Sequence, residues 1–106
     1  MKFPNDADGQ VLKTLYNEGI NFKKPHNVDF FIAVPNKKKG EMVLEVLKNN
    51  GYNAQLEQDD ETDEWTCYCS KKMQLKHGEL VAMQKKLDDL CRPYEGQADG
   101  WGIMVD

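Results

Sequence analysis

No stretch of this chain is long and apolar enough to cross a bilayer, and Met1-Lys2-Phe3-Pro4-Asn5 lacks the apolar core of a secretory leader. The expectation is a cytoplasmic protein with no membrane partner. A basic excess is missing too: the net charge is -4, whereas domains devoted to nucleic acid usually carry a positive one. Direct nucleic-acid binding is therefore not expected. Cysteine is scarce and odd in number, at Cys67, Cys69 and Cys91, which fits free thiols in a reducing compartment better than a disulfide framework. With His26 and His77 as the only histidines and no second cysteine pair at finger-like spacing, neither a metal nor another cofactor is expected, and the thiols read as buried and inert. Repeats, linkers and low-complexity tracts are also absent. A length of 106 residues suits a single core, so one domain should span residues 1–106.

What is present is an ordered series of apolar patterns. Asn5, Asp6 and Asp8 are cap candidates ahead of Val11, Leu12, Leu15 and Tyr16, which share one helix face, and Gly19 stops that helix. After the polar loop Asn21–His26, Val28, Phe30, Ile32 and Val34 alternate on one strand face, with Phe31 and Ala33 on the other. A strand apolar on both sides belongs inside its sheet. Asn36 can cap a second helix whose stripe is Met42, Val43, Val46 and Leu47, stopped by Asn50-Gly51. Lys37-Lys38-Lys39 occupies its first turn, the end that disfavours cations, though a solvated lysine face explains it without a partner.

Tyr52, Ala54 and Leu56, then Trp65, Cys67 and Cys69, alternate with polar residues around the acidic turn Asp59–Glu64 and predict a hairpin. Leu80, Met83, Leu87, Leu90 and Cys91 follow with helical spacing, ended before Pro93. A last strand should run from about Gln97 to Val105. Beyond the first helix the order is strand, helix, strand, strand, helix, strand. This predicts an α+β fold: a ferredoxin-like split βαβ sandwich, βαββαβ, whose antiparallel four-stranded sheet has the spatial order fourth, first, third, second, with an extra N-terminal helix.

Two sets of residues invite a functional reading. Glycines bracketing a tryptophan in Asp99-Gly100-Trp101-Gly102 are costly in a strand, so the backbone there bulges or takes positive φ, or a partner approaches closely. On an edge strand this stretch is a candidate partner-binding site. Asp6, Asp8, His26 and Asp29, with Asp99, use the residue types of acid-base chemistry and metal sites and form a candidate ligand site, the alternative being an enzyme or a small-ligand or metal-binding protein. Each of them also has a plain structural use as a cap, loop or turn residue, and no nucleophile, base and orienter set stands out, so the chain is not expected to be an enzyme.

Three stretches together, Phe3-Pro4-Asn5-Asp6-Ala7-Asp8-Gly9, Lys24-Pro25-His26-Asn27-Val28-Asp29-Phe30-Phe31 and Asp99-Gly100-Trp101-Gly102, resemble the family of the ribonuclease E inhibitor, regulator of ribonuclease activity B. The similarity covers essentially the whole chain, and the Asp-Gly-Trp-Gly stretch is its most specific part. The resemblance implies a small cytoplasmic bacterial protein that binds a ribonuclease E-type endoribonuclease and lowers its activity, with no catalytic residues and no cofactor. The inhibitors of that family carry an acidic tail after the Gly-Trp-Gly strand, where this sequence has Val105-Asp106. Fold is therefore expected to carry over further than partner.

Overall fold

The alternation of Val28, Phe30, Ile32 and Val34 makes the strand His26–Val34 (β1) the spine of the molecule. A computed structural model describes residues 3–103. β1 follows the helix Ala7–Asn17 (α1) and precedes the helix Lys37–Asn49 (α2). The hairpin strands Asn53–Gln58 (β2) and Trp65–Met73 (β3), the helix His77–Cys91 (α3), a 3-10 turn at Arg92–Tyr94 and the strand Gln97–Ile103 (β4) complete the order. Met104 and Val105, the expected end of the last strand, lie outside the described residues.

The sheet is antiparallel throughout, in the order β2-β3-β1-β4. This is the order expected for the split βαβ sandwich, and β1 sits between two partners, as its two apolar faces require. Phe31 stands opposite Tyr68 and Phe30 opposite Trp101, so the pleat sends these two pairs to opposite faces. Leu12, Leu15, Val43, Leu47, Leu80, Met83, Leu87 and Cys91 from the helices meet Val28, Phe30, Ile32, Cys67, Cys69 and Trp101 from the sheet in one core. All three helices therefore cover a single face of the sheet. The N-terminal helix joins this layer beside α3, and among the described residues no helix covers the other face.

Capping follows the sequence. Asp6 accepts a hydrogen bond from the Gly9 N–H at 2.7 Å, and Asn36 accepts one from Lys39 at 2.8 Å. Past the helix ends, Gly19 and Gly51 donate back to Tyr16 and Lys48, while Ile20 and Tyr52 donate to Leu15 and Leu47, the paired bonds of a Schellman stop. The buried stripe of α2 differs from expectation: Gly40, Val43 and Leu47 are buried, with Leu44 packed against the core, and Met42 is exposed. The reason is the close approach of α2 to the sheet at Gly40, where an added Cβ would lie 2.6 Å from Leu56 Cδ1. That contact turns the stripe to positions 40, 43, 44 and 47. Tyr16, expected on the buried face of α1, is 48% exposed and packs at a tilt against Phe3 and edge-on against Phe22 instead.

Candidate functional site: the open sheet face and its fourth strand

The glycine-flanked tryptophan sits on a β-bulge. Ile32 pairs with Ala98 and Phe30 with Trp101, so three steps along β4 match two along β1. Gly100 takes a φ of 121°, a conformation that side chains rarely adopt. The bulge and the positive φ account for this glycine without any partner. Trp101 turns to the helix side, where it is 6% exposed, and its indole N–H donates to Asp8 Oδ1 at 2.9 Å. The same carboxylate oxygen accepts from the Gln84 side chain of α3 at 3.1 Å. One aspartate thus joins α1, α3 and β4 through a buried donor that would otherwise lack an acceptor.

The five residues of the candidate ligand site go to different partners. Asp6, besides capping α1, lies 2.9 Å from His77 Nε2 on α3, and the Gly9 N–H followed by the His77 side chain holds its carboxyl below the usual aspartate value. Asp8 serves Trp101 and Gln84 on the helix side, and His26 meets the Asn21 carbonyl at 2.8 Å. Asp29 is on the opposite face of the sheet, where Ser70 donates its hydroxyl to Oδ1 at 2.5 Å. Asp99 is exposed on the bulged strand. Among the described residues no group of three or more His, Cys, Asp or Glu could hold a metal ion.

The cysteines belong to the core. Cys67, Cys69 and Cys91 are fully buried and unpaired, and burial pushes their thiols up to about 12, 11 and 11 respectively, well away from thiolate chemistry near neutrality.

The open face has its own centre. Phe31 of β1 and Tyr68 of β3 meet edge to face with centroids 5.4 Å apart. A Cβ at Gly102 would lie 3.6 Å from Phe31 Cζ and one at Gly100 3.9 Å from its Cδ2, so the ring rests over the side-chain-free margin of β4. Beside the rings is a shallow concavity of about 230 Å³ lined by Asp29, Asn53, Gln55, Glu57, Tyr68 and Ser70. Beyond Glu57, β2 leads into the turn before β3, which carries Asp59, Asp60, Glu61, Asp63 and Glu64. Sequence reasoning missed Gln55, Glu57 and the Phe31–Tyr68 pair, because their meeting depends on hairpin and crossover register. Only the second apolar face of β1 hinted at it.

The fold is a two-layer α+β sandwich with its helices on one side of the sheet and a polar, aromatic-centred face on the other. The family model described as regulator of ribonuclease activity B matches residues 5–103. The chain belongs to that family, one of regulators of ribonuclease activity. No curated protein matches it significantly. Among the described residues no helix is long and apolar enough to cross a membrane.

The three stretches that carry the family resemblance meet in space. Asp8 of the first bonds Trp101 of the last, while Phe30 and Asp29 of the second pair with Trp101 and Gly102. Gly9 belongs to the same knot: a Cβ there would fall 1.8 Å from the Pro4 carbonyl oxygen, so the chain ahead of α1 crosses its first turn only over glycine. These stretches thus tie α1 to β4 and β4 to β1.

Proposed function

We propose that this protein is a non-catalytic cytoplasmic regulator that binds a ribonuclease E-type endoribonuclease and lowers its activity, thereby altering RNA turnover. The observation that carries the reading is the family match over residues 5–103, and the sheet face away from the helices supports it with an aromatic-centred, polar surface suited to a protein partner. In this reading the partner lies over Phe31 and Tyr68. Asp99, Gly100 and Gly102 form the β4 margin of the contact, and Trp101 holds that margin in place from beneath.

The test is a titration into purified ribonuclease E, following cleavage of a short fluorescent RNA. Wild type should slow cleavage in proportion to complex formed, and Tyr68→Ala should lose most of that effect while keeping a native circular dichroism spectrum. Unchanged cleavage at a large molar excess of wild type would overturn the ribonuclease reading.

A further inference from the structure

The concavity beside Tyr68 is lined by acceptors with no cation among them. It holds two carboxylates, Asp29 and Glu57, two side-chain amides, Asn53 and Gln55, and the Ser70 hydroxyl, which is already turned to Asp29 Oδ1. Asp29 Oδ2 receives no hydrogen bond from the protein among the described residues. Lys72, across from Asn27 at the far end of the face, is the open-face cation of β3, while Lys71 faces the helix side opposite Val28. At the near end stand the five acidic side chains of the β2–β3 turn. The charge of this face is therefore graded from that turn to Lys72, and the aromatic pair lies along the gradient.

We infer that the open face takes an extended, arginine-bearing segment of a protein partner, with one guanidinium seated against Asp29 Oδ2 and the Tyr68 ring. This rests on the reading of that face as a partner surface and names its chemistry. A guanidinium supplies a planar fork of donors to a carboxylate and stacks on an aromatic ring, whereas a lysine offers one hydrated point charge. Glu57 is four residues along β2 from Asn53, the cross-strand neighbour of Ser70, about 13 Å along the strands. β2 lies two strand spacings, about 10 Å, across from Asp29, so Asp29 and Glu57 sit on a diagonal of about 16 Å. Four residues of an extended segment laid along that diagonal advance about 13 Å, and the reach of two long side chains covers the remainder. A second arginine, at i+4 and so on the same side of the segment, then meets Glu57 and the acidic turn. Nucleic acid fits the same face less well, because its phosphates would meet Asp29, Glu57 and the turn carboxylates.

The experiment titrates the isotope-labelled full chain with the peptide Arg-Ser-Gly-Ser-Arg, blocked at both ends, and follows backbone amide shifts. Its lysine and citrulline counterparts and a six-nucleotide uridine oligomer are titrated in parallel. The arginine peptide should move amides of residues 29, 55, 57, 68 and 70 and bind at least fivefold tighter than the lysine peptide, with citrulline binding lost. Asp29→Asn, which keeps an acceptor for Ser70, and Tyr68→Leu, which keeps an apolar side chain, should each weaken it at least fivefold, and Lys71→Gln should not. Equal binding of arginine and lysine peptides, shifts confined to other surfaces, or tighter binding of the oligomer to the same amides would overturn the inference.

The ribonuclease assay separates the two readings. Inhibition retained by an Asp29→Asn protein that has lost the peptide overturns the arginine segment and leaves the regulator reading standing. Arginine-selective binding by a wild-type protein that never inhibits does the reverse.

Discussion

A single carboxylate oxygen, Asp8 Oδ1, accepts from the Trp101 indole and the Gln84 amide, so it satisfies donors from two other elements. Replacing it by alanine leaves the buried indole N–H without an acceptor, and Asp8→Ala should lower unfolding stability by about 1–3 kcal/mol in a urea titration. Trp101→Ala removes a side chain that is only 6% exposed and should cost about 3–5 kcal/mol. Loss of partner binding in Trp101→Ala would therefore report a weakened fold. Tyr68 and Asp29, on the other side of the sheet, are the residues that separate contact from stability. This bond spans 93 residues of sequence, and nothing in composition or periodicity announces it. The glycines around Trp101 signalled a special backbone, which the bulge explains, but they did not tell which way the ring points.

At the scale of elements, β1 was the most legible. Its two apolar faces place it inside the sheet, and with right-handed crossovers that determines the order of the other strands. Helix faces were less legible, because the approach of α2 at Gly40 rotates its stripe and exposes Met42, a packing effect invisible in periodicity. The first helix shows the same division: its Asp6 cap could be read locally, whereas its dock on α3 through His77 could not. That dock has a pH signature. The folded Asp6 carboxyl lies below its ordinary 3.8, so its stabilisation is complete above 3.8 and fades as pH falls through the lower folded value. In urea titrations from about pH 5 downward, the midpoint gap between wild type and Asp6→Ala should narrow as the pH falls below 3.8. A gap that widened as the pH fell from 3.8 would contradict this account of α1.

Across the whole molecule, one core lies between the helix layer and one face of the sheet, and the three thiols are inside it. With Cys67 pushed up to about 12, and Cys69 and Cys91 each to about 11, the folded protein should react with a thiol reagent at mild alkaline pH only as fast as it opens. Labelling should proceed at one common rate for the three cysteines and accelerate with urea; rapid labelling of any one in native buffer would show that its part of the core opens separately. The sheet also ends in β4, an edge where backbone groups could recruit a second chain. The extra residue beside Gly100 interrupts that edge, and it is expendable for the core: removing Asp99 would restore an even ladder with Trp101 still opposite Phe30. An irregular edge is a poorer template for a second chain, so the shortened protein should fold with its tryptophan fluorescence intact yet associate more strongly with rising concentration in sedimentation than wild type.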